Sequence, residues 1–165
     1  MAIQTSFTTS HTVALEGAIC DAAPAECKAA VASAAVNIGT LVSIDTTRPT
    51  GYDTRGPTLV ENPTTSGAVT GNLVYGVVVR PDNRQDQSAL AIGEVFDVLS
   101  RGRIWVKAEE AVAVGDPVFA RYAAGGNGVG ALGMQAGTSE RAQVAGARWL
   151  SAASANGLAM VEIQG

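Results

Sequence analysis

The chain of 165 residues carries 11 Lys and Arg against 15 Asp and Glu, a formal charge of −4, and is 47% hydrophobic but only 5% aromatic and 16% charged. That apolar content is too high for a disordered tail, and the charge balance leaves no basic cluster for a phosphate backbone. No stretch approaches the roughly 20 apolar residues that span a bilayer, so neither nucleic acid nor membrane is expected as a partner.

Residues 1–12 read as an extended arm, because Thr5-Ser6-Phe7-Thr8-Thr9-Ser10-His11-Thr12 is β-branched and hydroxyl-rich without a helical period. The stretch also lacks the basic start and apolar run of a secretory signal. Residues 13–165 then read as one β-rich domain. A short strand is expected over Val13–Ile19, weakened in its middle by Gly17. Cys20 and Cys27 are too few for a disulfide framework. They are expected as free, partly buried thiols, although a Cys-x6-Cys loop leaves pairing open.

The one helix expected runs from Pro24 to Ala35. Pro24 suits a first helical position, Glu26 suits the first turn, and the alanine run has high intrinsic propensity. Everything after Gly39 reads as β: Thr40–Asp45, Leu73–Arg80, Glu94–Ser100, Arg103–Ala108, Val118–Tyr122, Ala142–Trp149 and Leu158–Ile163. These runs are short, rich in Val and Ile, and separated by Gly, Pro, Asn and Asp. Thr46–Asn72, with its Pro and Gly residues, reads as a long loop, Pro81–Ser88 as a polar loop, and Ala123–Gly133 as a glycine-rich tip. The expected fold is therefore mainly β, a sandwich or partly closed barrel with an extended arm and at most one short helix.

The search for chemistry returns little. Gly128-Val129-Gly130-Ala131-Leu132-Gly133 matches G-x-G-x-x-G, but it opens no helix and no acid follows about 20 residues on, so a hairpin tip is expected. His11, Cys20 and Cys27 are too few and wrongly spaced for tetrahedral zinc, and no cofactor is implied. With His11 the sole imidazole, a nucleophile has no other base of that kind, and no G-x-S-x-G elbow is present. Glu109, Glu110 and Asp116 lie close together but flank an expected turn, where acids usually form a solvated edge. No catalytic residue is assigned.

Interaction features are richer. Only Lys28 and Lys107 stand against Arg48, Arg55, Arg80, Arg84, Arg101, Arg103, Arg121, Arg141 and Arg148. Arginine is enriched and lysine depleted at protein interfaces, with compositional bias as the plain alternative. Arg101-Gly102-Arg103-Ile104-Trp105-Val106-Lys107 reads as a turn entering a strand. Alternation puts Arg103, Trp105 and Lys107 on one face and Ile104 and Val106 on the other. An outward Trp105 between cations is an interface candidate, or a simple cation–π pair. Trp149 beside Arg148 reads equally as an interface or a core residue.

Leu99-Ser100-Arg101-Gly102-Arg103-Ile104-Trp105-Val106-Lys107-Ala108-Glu109-Glu110, continuing through Gly115-Asp116-Pro117-Val118-Phe119-Ala120-Arg121-Tyr122, resembles the signature of tailed-phage structural cement, or capsid-decoration, proteins. Tyr75-Gly76-Val77-Val78-Val79, Ala145-Gly146-Ala147-Arg148-Trp149-Leu150 and Gln4-Thr5-Ser6-Phe7 are similar as well. Phe119 stands where the family more usually has Tyr, and residues 21–37 and 46–72 match less well. The resemblance implies a protein without catalytic residues that docks on the outside of the major capsid shell and clamps neighbouring capsomers after expansion. It is expected as a homo-oligomer, with a trimer at threefold positions preferred to a dimer at twofolds. Thr5, Phe7, His11, Arg101, Arg103, Trp105, Arg121 and Arg148 are the residues assigned to capsid or subunit contact. The rival readings are a phage tail or adhesion module binding a glycan, and a small hydrolase using the acids near Glu109.

Overall fold

The computed structural model describes residues 14–20, 24–47, 57–81, 87–135 and 140–164. Along the chain come β1 (Glu26–Ala32), β2 (Val36–Asn37), β3 (Leu41–Ile44), β4 (Thr58–Glu61), α1 (Ser66–Thr70), β5 (Val74–Val78), β6 (Ala89–Leu90), β7 (Val95–Lys107), β8 (Pro117–Arg121), β9 (Leu132–Gly133), β10 (Arg141–Trp149) and β11 (Leu158–Ile163). The fold is mainly β with one short helix, as the sequence implies.

Several elements differ from expectation, each for a local reason. The expected helix over Pro24–Ala35 is strand β1, which pairs with β7 through most of its length and in parallel with β4. Alanine propensity is overridden because Ala30 and Ala32, fully buried, are small enough to fill a narrow interior. The helix found instead is α1, inside the expected loop 46–72, where the Thr65 side chain caps Ala68 N. The same loop holds β4, a four-residue strand hidden among Pro and Gly signals; residues 48–56 lie outside the described residues, as do 82–86 of the polar loop.

Of the strand expected over Val13–Ile19, Val13 lies outside the described residues; in the rest Gly17 takes φ of 80° within a turn and Ile19 forms a single bridge to Ile104. The segment is nonetheless docked, with Gly17 N donating to Trp105 O at 2.7 Å and Arg80 N to Gly17 O at 2.8 Å. The two strands expected on either side of Arg101-Gly102 are one strand, β7. Gly102, at φ of 134°, bends that strand where a turn was expected to begin it.

Five strands, in the order β1-β4-β3-β5-β7, close on themselves through the β1–β7 pairing. Their interior is filled by Ala30, Ala32, Val42, Val60, Val78, Phe96 and Val98, with Val36, Ile38 and Leu90 from the β2–β6 ribbon completing the cluster. Mostly small side chains suit a ring of few strands. Beyond Gly102, β7 leaves the barrel and leads an open antiparallel sheet, β7-β11-β10-β8-β9.

The barrel's outer residues Leu41, Val77 and Leu99 pack against Ile104, Val106, Val118, Trp149 and Val161 of that sheet, with Val69 of α1 joining them. Both faces of β3, β5 and β7 are thus covered where the layers meet, which explains consecutive buried residues at 41–43, 76–78 and 98–100. The open sheet keeps its other face toward solvent.

Candidate functional site

The solvent-facing side of the open sheet is built by register. Arg103 on β7, Glu162 on β11 and Arg148 on β10 are successive cross-strand partners, as are Trp105 and Met160, and Lys107 and Leu158. Glu162 serves both arginines: Arg103 Nε lies 3.2 Å from one carboxylate oxygen and Arg148 Nη2 2.6 Å from the other. The Arg148 hydrogen bond holds the Glu162 carboxyl below its usual range; burial opposes this, while Gln164 and Arg103 add to it. Beside this ladder Trp105 is half-buried. Its backbone is held on the flanking edge by Gly17 N and Ala18 O at 2.7 and 2.9 Å, so the indole stands on a strand fixed from both sides. The expected alternation is observed: Ile104 and Val106 are in the core, while Arg103, Trp105 and Lys107 share the outer face.

The assigned residues separate into three groups. Arg103, Trp105 and Arg148 come together on this face, and exposed Arg101 lines a neighbouring groove with Arg103, Glu162 and Gln164. Thr5, Phe7 and His11 lie outside the described residues. Arg121, in contrast, is 5% exposed, and its guanidinium is consumed internally. It is a scaffold residue. Trp149 is likewise fully buried, donating from Nε1 to Gly133 O at 3.4 Å.

The acids expected to form a solvated edge do something else. Glu109, with its side chain only 3% exposed, lies between Arg121 Nε at 3.0 Å and Arg141 Nη2 at 2.7 Å. Those two arginines are direct partners across β8 and β10. Arg121 also reaches Glu140 at 2.7 Å, and Arg141 reaches Glu110 at 2.6 Å. Two adjacent cations are therefore held apart from repulsion by three carboxylates. The network also ties loops down: Asn127 N donates to Glu109, and Met134 N and Gln135 N donate to Glu110.

Burial raises the Glu110 carboxyl, but the Gln135 amide and Arg141 outweigh it, leaving it below the usual range. Asp116 closes its own turn by accepting from Ala113 N at 2.8 Å. Acids so fully engaged are poorly placed for acid–base work. Sequence reading missed this network because Arg121 and Arg141 meet Glu109 only through the β8–β10 pairing. The adjacent Glu109-Glu110 pair was its one visible trace.

Among the described residues there is no group of three His, Cys, Asp or Glu that could hold a metal. The cysteines are free, Cys20 buried and Cys27 exposed. The glycine-rich motif runs from the β8–β9 connection into β9, Gly128 and Gly130 taking φ of 96° and 86°, and no helix follows it among the described residues. No described helix is long and apolar enough to cross a membrane.

A closed five-stranded barrel fused to an open sheet with one face left to solvent defines the scaffold as a mainly β protein. The chain belongs to the phage structural cement proteins: the family described as "Structural cement protein (E217 gp24/Pam3 gp6)" matches residues 3–164. It is a capsid-associated structural component of a phage virion. In fold it is similar to a chain of the structure titled "The capsid of Myoviridae Phage XM1", at 17% identity and a TM-score of 0.72, covering 99% of this chain and 98% of that one. A second solved structure, "The crystal structure of head fiber gp8.5 N base in bacteriophage phi29", is 14% identical with a TM-score of 0.49, covering 86% of this chain and 95% of that one. No curated protein matches the chain.

Proposed function

We propose that the protein binds the outer surface of the expanded capsid and clamps neighbouring major capsid proteins, without catalysing any reaction. The observation that carries this reading is the outer face of the open sheet. Half-buried Trp105 and Met160 lie there beside the Arg103–Glu162–Arg148 ladder, on strands whose opposite side is locked into the core. A rigid aromatic and arginine anchors are the residue types that dominate protein interfaces.

Each copy needs only a modest contact, on the order of 1,600 Å² for a specific complex, because many symmetric copies multiply the gain. The protein acts as a homo-oligomer, a trimer in preference to a dimer, made in the bacterial host cytoplasm and carried on the shell exterior. Residues 1–12 serve as an arm that adds backbone hydrogen bonds at a neighbour. Thr5, Phe7 and His11 are the contact residues proposed on that arm.

Co-sedimentation with expanded and with unexpanded capsids tests this, together with heat resistance of the loaded shells. Saturable binding to expanded shells and a raised disruption temperature are expected. Absence of binding to either form would refute the reading. Deleting residues 1–12 should weaken binding while leaving the body folded, and equal binding would remove the arm from the account.

A further inference from the structure

Several tight turns among the described residues share one build. Leu15–Ala18, Asn37–Thr40, Ala91–Glu94, Ala113–Asp116 and Gly128–Ala131 each carry a glycine in third place, at φ of 80°, 76°, 82°, 90° and 86°. That is the third-residue geometry of a type II turn. In all but the first, the second residue is aliphatic: Ile38, Ile92, Val114 and Val129.

Three of these turns are covered by another part of the chain. Leu15–Ala18 and Asn37–Thr40 clasp each other: a Cβ on Gly17 would overlap Ile38, and one on Gly39 would overlap Glu16. The second side chain of each turn thus lies over the glycine of the other, and Ile38 is only 1% exposed. Gly130 is closed in the same sense by the Leu41 carbonyl.

Ala91–Glu94 and Ala113–Asp116 are bare. Gly93 and Gly115 have no atom within 4 Å of a built Cβ, whereas every other described glycine of positive φ has one. Ile92 and Val114 are 71% and 67% exposed. Each tip has apolar exposed flanks, Ala91 and Val95 on one, Ala113 and Pro117 on the other. Glu94 and Asp116 are turned back onto their own turns, accepting from Ala91 N and Ala113 N at 2.8 Å. What remains at each tip is an aliphatic knob beside an open glycine face.

The two bare tips cannot clasp within one copy. Ala91–Glu94 leads into β7, while β8 runs antiparallel to β7, so Ala113–Asp116 lies toward the far end of that strand. The 13 residues of β7 put up to about 40 Å between them.

We propose that the tips clasp between copies, Ile92 over Gly115 of the next copy and Val114 of that copy over Gly93. The proposal rests on the homo-oligomer in the cement reading and names its contact. The Ile38 turn supplies the pattern, and a second copy offers the matching turn. Because the two tips differ and lie at opposite ends, the contact is head-to-tail, the kind that closes into a ring such as a trimer. Two turn tips are small against the roughly 1,200 Å² that a specific interface buries, so assembly is reversible and concentration-dependent.

The test is sedimentation of the full chain over a concentration series. Ile92→Arg and Val114→Arg should each raise the concentration needed for assembly by about tenfold or more. An equimolar mixture of the two should form a dimer and nothing larger, since only one intact pair of tips remains. Gly93→Asn and Gly115→Asn, which the turn geometry admits, should weaken assembly from the glycine side. Melting temperatures close to the parent's separate these losses from misfolding.

Parent-like assembly by both arginine variants would overturn the proposal, as would a mixture that stays monomeric. Variants that keep the parent's mass but lose shell binding would assign the tips to the shell protein and overturn it too. A parent that is monomeric yet binds shells would overturn the clasp and leave the cement reading standing. A parent that assembles through the tips but binds no shell would do the reverse.

Discussion

The barrel and the open sheet share β7 but are stabilised in different ways. The barrel closes its hydrogen bonds in a ring and fills its interior with small side chains such as Ala30, Ala32 and Val42. The sheet has ends, so it relies on one large core residue, Trp149, and on the ion pairs around Glu109. Closure satisfies the barrel's backbone hydrogen bonds within the ring, while its outer residues Leu41, Val77 and Leu99 still rest on the sheet. The sheet, stabilised from one side only, keeps a flat face available for a partner. The difference shows how one long strand can serve stability over its first half and recognition over its second.

The largest break in that comparison should come from Trp149→Ala, which empties the centre of the sheet's core. A loss of about 4 kcal/mol is expected in urea unfolding. A loss below about 1 kcal/mol would mean that the barrel alone sets stability. Next is Glu109→Ala, which leaves Arg121 and Arg141 buried side by side. About 3 kcal/mol should go, with the loop carrying Asn127 exchanging its amides faster.

Gly76→Ala tests the barrel in turn. Gly76 has φ of 146°, and a Cβ there would overlap the Leu99 carbonyl. Roughly 2 kcal/mol is expected from strain and overpacking, read as a lower melting temperature.

The ion pairs also set a pH dependence whose sign follows from the depressed carboxyls. Glu110 and Glu162 contribute stability that is complete above the ordinary carboxylate range and is lost as pH falls through their lower folded values. Glu16 acts in the opposite sense. Burial raises its carboxyl against the pull of Lys107 and Arg80, so its contribution declines as pH rises through its folded value. Denaturation midpoints taken from about pH 5 down to about pH 3 should fall less steeply for Glu110→Gln than for the parent. Parallel curves would assign the acid sensitivity elsewhere.

Trp105→Ala should have the smallest effect on the fold, under about 1 kcal/mol, because the indole is only half-buried. Its effect on shell binding should exceed about 2 kcal/mol if Trp105 is an interface anchor. Co-sedimentation and melting curves on the same preparation separate the two quantities. Equal losses in both would return Trp105 to the role of a packing residue.

How much of this was legible in the chain depends on the range of the interaction. Strands β3, β5, β8, β10 and β11 are near their expected positions because alternation and turn residues are local signals. The two faces of β7 around Trp105 were legible for the same reason. The alanine run of β1 misled because helix propensity is a weak preference, outweighed once two neighbouring strands supply its backbone hydrogen bonds. Arg121 was assigned to an interface from composition, but its neighbours come from Glu109 and Glu140, residues that reach it only after β8 and β10 pair.

By itself, the sequence determined a mainly β chain, poor in catalytic residue types, with an arginine- and tryptophan-bearing strand in a family-specific block. Tertiary structure alone decided that the strands close into a barrel, that Glu109 is buried between arginines, and that Arg103 and Arg148 share the carboxylate of Glu162. Alternation and turns are encoded within a few residues. Closure, burial and charge balance depend on which distant strands become neighbours, and no short stretch of sequence carries that information.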